Sequence, residues 1–109
     1  MDDKSQYLEI WIDSPDGQSM CALINGEQGM LLYLRLEGDA GFSSRNPKYT
    51  GPDDATLEYY LSNGQRDEYP LVCALPLDEV NRALEYFESN HKPPAFISWH
   101  NESGDGVKL

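Results

Sequence analysis

Residues Gly38–Pro52 read GDAGFSSRNPKYTGP and separate two alternating apolar runs. Three Gly, two Pro, two Ser and an Asn in fifteen residues rule out continuous helix or strand. A structureless connection this long is uncommon in a compact domain unless it binds something. Phe42 and Tyr49 supply apolar anchors able to fold it back onto a sheet, as in an Ω-loop. The stretch therefore reads either as a turn-rich connector or as a recognition loop carried on a rigid scaffold.

Upstream, residues 30–37 (MLLYLRLE) alternate, with Met30, Leu32, Leu34 and Leu36 assigned to the core face and Tyr33, Arg35 and Glu37 to the other. Before them lie YLEIWID (7–13), the Ser14-Pro15-Asp16-Gly17 turn and a strand over 19–24. Asn25-Gly26 signals a hairpin, with Gly29 suggesting a longer loop there. In 7–13, Leu8, Ile10 and Ile12 share one face; Tyr7, Glu9, Trp11 and Asp13 share the other.

Downstream, ATLEYYL (55–61) alternates again, Asn63-Gly64 turns the chain, and 65–75 is expected to return as a strand that Pro70 bulges or confines to an edge. Leu77, Val80, Leu84 and Phe87 recur at helical spacing, so 77–90 is the one predicted helix. Pro76 suits its start, Asp78 and Glu79 its positive end, and Pro93-Pro94 forbid continuation past His91. AFISWH (95–100) is expected as a last strand. The fold class that follows is α+β: a mostly antiparallel sheet of about six strands with one main helix on one face. The chain reads as a single domain over 1–109, with residues 1–6 and 101–109 as frayed tails.

A sheet covered by one helix leaves a face open. On this register that face holds Tyr7, Trp11, Tyr33 and Tyr60 among Glu9, Asp13, Arg35, Glu37 and Glu58. Aromatics among carboxylates suit a protein-binding patch, although ordinary cross-strand pairing accounts for the same pattern. A bare face also leaves homodimerisation open.

With 19 acidic against 8 basic residues the formal charge is −11, which repels phosphate backbones and favours a basic protein partner. Met1-Asp2-Asp3 begins no secretory pattern and no run approaches a membrane span, so a cytoplasmic protein without membrane contact is expected. Cys21 and Cys73 fall in predicted strands and read as two buried free thiols. The two histidines, His91 and His100, sit in no metal spacing; no P-loop, nucleophile elbow or dinucleotide fingerprint occurs. Neither an enzyme nor a cofactor is indicated.

Four runs carry a resemblance: GMLLYLRLEGDAGFSSRNP, GPDDATLEYYLSNGQRDEYP, ALPLDEVNRALEYF and KPPAFISWH. Together they resemble immunity protein family one of bacterial polymorphic toxin systems, over roughly residues 29–100. The resemblance implies a non-enzymatic inhibitor, made beside a secreted effector toxin and binding it. Toxins partnered with such proteins include nucleic-acid-directed enzymes such as deaminases and nucleases. It also implies a structural role for Trp99; Phe87, which closes the helix, and Leu84 of the helical stripe read as structural from the apolar spacing.

Exposed single ion pairs contribute only about 0–1 kcal/mol, so an acidic inhibitor also needs aromatic anchors. The expected anchors are Phe42, Tyr49, Tyr60 and Tyr69, with Asp67 and Glu68 beside them and Asp39, Arg45, Asp53 and Glu58 as a polar rim. The alternative is a small-molecule-binding domain or small enzyme with a pocket under the 38–52 loop, formed by Glu58, Arg45 and His100.

Overall fold

The computed structural model describes residues 6–109. Its main sheet is antiparallel, in the order β1 (Tyr7–Asp13), β2 (Ser19–Asn25), β3 (Gln28–Leu34), β4 (Phe42–Arg45) and β8 (Ser98–Asn101). The two-residue β7 (Leu75–Pro76) pairs with β3 at Gln28 and Gly29, while β4 pairs with β3 at Leu32 and Tyr33. Strands β5 (Thr56–Tyr60) and β6 (Arg66–Pro70) form a separate two-stranded hairpin. Helix α1 spans Leu77–Asn90. The fold is thus α+β, with an antiparallel sheet of about six strands and one main helix.

Helix α1 begins where expected, after Pro76, with Asp78 and Glu79 in its first turn. It ends at His91, whose left-handed backbone (φ 53°) returns its N–H to the Phe87 carbonyl at 2.8 Å. Its inner stripe of Val80, Ala83, Leu84 and Phe87 packs on Met20, Ala22, Ile24, Leu31, Tyr33 and Phe42. Ile97 closes this core, and Trp99 packs at its margin with its Nε1–H donating to the Pro94 carbonyl at 3.2 Å.

The second face of the sheet is not open. The β5–β6 hairpin lies across it, so Cys21, Leu23 and Met30 are buried with Tyr59 and Cys73, flanked by Leu57, Leu61 and Tyr69. A strand buried on both sides shows a continuous apolar run instead of a clean alternation. Residues 20–24 (MCALI) and 29–31 (GML) are buried without a break. For that reason the face assignment of β3 is exchanged relative to expectation. Tyr33 and Leu31 face the helix, and Met30 faces the hairpin.

Other boundaries also move. Residues 38–52 contain β4, an inner strand between β3 and β8. Residues 65–75 are not one strand: β6 stops at Pro70, and Leu71–Cys73 form a 3-10 turn. The β2–β3 connection is the two residues Gly26-Glu27, since Asn25 pairs with Gln28. Gly29 does not lengthen it. A Cβ at Gly29 would lie 2.9 Å from the Leu23 carbonyl oxygen and 3.3 Å from Val80, so glycine there admits the helix against the sheet. The last strand is Ser98–Asn101, not 95–100. Beyond it, Asn101, Ser103, Asp105 and Val107 are joined by hydrogen bonds, with Asp105 also bound to Arg35 at 2.9 Å.

Candidate functional site

The hairpin covers only part of the second sheet face. Across β1, β2 and β3 the rows on this face run Glu9–Leu23–Met30, Trp11–Cys21–Leu32 and Asp13–Ser19–Leu34. The first row, and Cys21 and Leu32 of the second, pack against the hairpin, which leaves the strip beyond them uncovered. There the sheet emerges: Trp11 is 49% exposed and Leu36, just past β3, is 59% exposed. These two residues, with Asp13, Ser19, Leu34 and Glu37, line a groove of about 510 Å³.

Trp11 is held in place. Its Nε1–H donates to the Glu9 carboxylate at 2.9 Å. The other Glu9 oxygen accepts the Ser62 N–H at 2.9 Å and the Ser62 hydroxyl at 2.7 Å. These bonds, the Trp11 one first, hold the Glu9 carboxyl below its usual range, so it is charged at neutral pH. Because Ser62 belongs to the β5–β6 turn, Glu9 also ties the hairpin to the edge strand. Asp13 accepts the Ser19 hydroxyl at 2.7 Å.

The acidic surface continues onto the outer side of the hairpin. Glu58 accepts from the Tyr7 hydroxyl at 3.2 Å and from Arg66 at 2.5 Å; Arg66 also reaches Glu68 at 2.8 Å. Hydrogen bonding to Arg66, then to Tyr7, lowers the Glu58 pKa. The Tyr60 ring meets Tyr7 edge-on at 4.8 Å. One strip therefore runs from Glu68 and Glu58 through Tyr60, Tyr7 and Glu9 to Trp11 and Asp13, with tyrosine and tryptophan rings between carboxylates.

Of the expected contact residues, Glu58, Tyr60 and Glu68 lie on this strip. Asp53 is exposed in the loop before β5. Tyr49 is half-buried and donates its hydroxyl to the Pro52 carbonyl at 2.6 Å. Asp67 and Tyr69 point to the inner side of the hairpin, where Tyr69 stands 6.1 Å from the Tyr59 ring and burial raises its hydroxyl pKa. Phe42 is a correction. It is 1% exposed in the helix-side core, with Arg35 5.0 Å above its ring, and offers a partner no surface. Asp39 is likewise spent inside the fold, its carboxylate accepting from the Arg35 backbone N–H and from the guanidinium Nε and Nη2 at 2.8–3.0 Å. Tyr33 and Arg35 leave the expected patch with them. Leu34 and Leu36, assigned to the core from alternation, join it.

Arg45 sits elsewhere. It donates to Ser43 at 2.8 Å, to the Cys73 sulfur at 2.9 Å and to Glu102 at 3.5 Å, beside a cavity of about 380 Å³. His100 approaches Glu102 at 3.8 Å. Glu58 is engaged by Tyr7 and Arg66 on the outer hairpin, so the three groups of the expected small-molecule pocket are not brought together. Among the described residues no three His, Cys, Asp or Glu side chains converge as a metal site, and no helix is long and apolar enough to cross a membrane.

Compared with known families, the chain matches the model of "Immunity protein Imm1" over residues 4–101. That span includes the β1–β2 hairpin carrying Trp11, which lies outside the 29–100 resemblance read from sequence. None of the curated proteins compared matches the chain.

Proposed function

The chain belongs to the Imm1 immunity protein family, and from that premise we propose that it binds and neutralises a cognate secreted bacterial toxin. It acts as a stoichiometric inhibitor and not as a catalyst. The toxin presents a basic surface, as an enzyme acting on nucleic acid does, and the strip from Glu68 to Asp13 occupies that surface. The observation that carries this reading is Trp11, half exposed yet hydrogen-bonded into one orientation among carboxylates. A preordered aromatic loses little freedom on binding, which is what separates an anchor from a merely exposed ring.

The charge of −11 supports fast capture. Electrostatic steering raises association rates more than affinity, and salt screens it. A standard interface takes about 800 Å² per partner, roughly an eighth of the 6618 Å² accessible surface. The strip must therefore be joined by neighbouring surface, and exposed Asp53 with the 14–18 turn extends it at either end.

The test is co-expression with the toxin encoded beside this chain. Expected are restored growth, a one-to-one complex, and an association rate that falls at least tenfold between about 20 and 500 mM salt. Growth arrest despite full expression of the folded protein refutes the reading.

A further inference from the structure

Resting on the toxin-binding reading, we propose that the groove at Trp11 receives one arginine side chain of the partner. In this arrangement the guanidinium stacks on the indole and pairs with Asp13 and Glu37. Four features of the groove select this occupant.

The indole is fixed by Glu9, so its face is presented in one orientation. A guanidinium over a tryptophan face gains both cation–π attraction and planar stacking. The carboxylates differ in how far they are already used. Glu9 already accepts three hydrogen bonds, from Trp11 and Ser62. Asp13 accepts only the Ser19 hydroxyl, and Glu37 has no hydrogen bond or ion pair among the described residues. An ionised carboxylate has about four acceptor sites, so both retain room for a forked donor. Leu34 and Leu36 give the groove an apolar wall against which an aliphatic stem can lie. Finally, among the described residues no Lys or Arg lines the groove, so an incoming cation meets no like charge from them.

Other occupants fit less well. A second copy of this chain brings another −11 and the same carboxylates. An aliphatic side chain would cover Asp13 and Glu37 without pairing them, leaving desolvated charge. A lysine satisfies the charge but is a strongly hydrated point that stacks poorly.

The experiment measures affinity of the purified cognate toxin for the wild type, Trp11→Ala, the double variant Asp13→Asn/Glu37→Gln, and Glu85→Gln on the exposed side of α1 as control. Unfolding curves establish that each variant is folded. Expected are at least a 30-fold loss for Trp11→Ala, at least a tenfold loss for the double variant, and less than twofold for the control. Wild-type binding that survives Trp11→Ala overturns the groove while the toxin reading stands. No binding by the wild type overturns both.

A toxin-independent arm follows the Trp11 indole N–H resonance during titration with N-acetylarginine amide, N-acetyllysine amide and N-acetylcitrulline amide. A saturable shift with arginine, weaker with lysine and absent with citrulline, supports the assignment. An equal response to citrulline, or none to arginine, overturns it.

Discussion

Phe42→Ala separates stability from recognition. The Phe42 ring is 1% exposed, and its centroid stands 6.1 Å from that of Tyr33, which in turn stands 6.2 Å from Phe87. The truncation empties the junction of strand β4, strand β3 and the helix. Burial of an aromatic side chain contributes roughly 1.5–3 kcal/mol in transfer alone, and an unrelaxed cavity brings Phe→Ala to about 3–5 kcal/mol. At roughly 2.1 cal/mol/K of unfolding entropy per residue, a chain of this length loses about 4.4 °C per kcal/mol, so Tm should fall by about 13–22 °C. Urea and thermal unfolding followed by circular dichroism measure this. The control is Tyr60→Ala, half-buried on the outer hairpin, which should cost under about 1.5 kcal/mol and act on toxin affinity instead. A Phe42→Ala protein with wild-type stability and impaired toxin binding would refute the placement of this ring in the core. So would a loss below about 1.5 kcal/mol.

Three further outcomes follow from particular residues. Gly41 has φ 76°, and a Cβ there would stand 2.5 Å from the Tyr33 carbonyl oxygen, whereas Gly64 at φ 89° has open space. Gly64→Ala should cost about 1–2 kcal/mol from the left-handed backbone alone and Gly41→Ala clearly more; equal costs in urea unfolding would count against the close approach. Arg35 holds the Asp39 carboxyl well below the usual range, and Asn101, then the Val107 N–H and Arg35, do the same for Asp105. Folded-state pKa values depressed in this way contribute stability that is present above the unfolded value near 4 and lost as pH falls through the folded values. The stability gap between wild type and Arg35→Gln should therefore be constant from about pH 5 to 8 and shrink below about pH 4; a gap that widens on acidification would reverse the sign. Burial pushes the Cys21 thiol up to about 12 and raises that of Cys73. Both should resist a disulfide reagent at pH 8 until the protein unfolds, and prompt reaction of either thiol in the native protein would contradict their burial.

Much of the fold was legible locally. Helix α1 spans the 77–90 predicted from the spacing of Val80, Leu84 and Phe87 and from Pro76 and Pro93. The alternation of β1 separates Ile10 and Ile12 from Glu9, Trp11 and Asp13, and the two sets lie on opposite faces. The hairpin residues Thr56, Glu58 and Tyr60 likewise separate from buried Tyr59. Each of these is a period-2 or period-3.6 pattern written within a few residues. By contrast, the alternation over 30–37 assigns the faces of β3 the wrong way round, and Phe42 carries no periodic signal. Where both faces of a strand are apolar, alternation says nothing about which layer lies on which side. Leu36, equally apolar, reads as inward on the same alternation, yet it lies past the end of β3 and is exposed.

The amino-acid order thus settles helix α1 with its apolar stripe, the alternation of β1 and β5, and the acidic charge, because each depends on composition or on neighbours within one turn or one strand. Only the tertiary structure decides that the β5–β6 hairpin forms a second layer and that β4 threads the 38–52 stretch into the sheet. It also decides that Phe42 is core while Trp11 stands at an uncovered margin. Those outcomes depend on contacts between residues distant in sequence, such as Glu9 with Ser62 and Ser44 with the Cys73 carbonyl, and no local pattern specifies which distant partner a strand will meet.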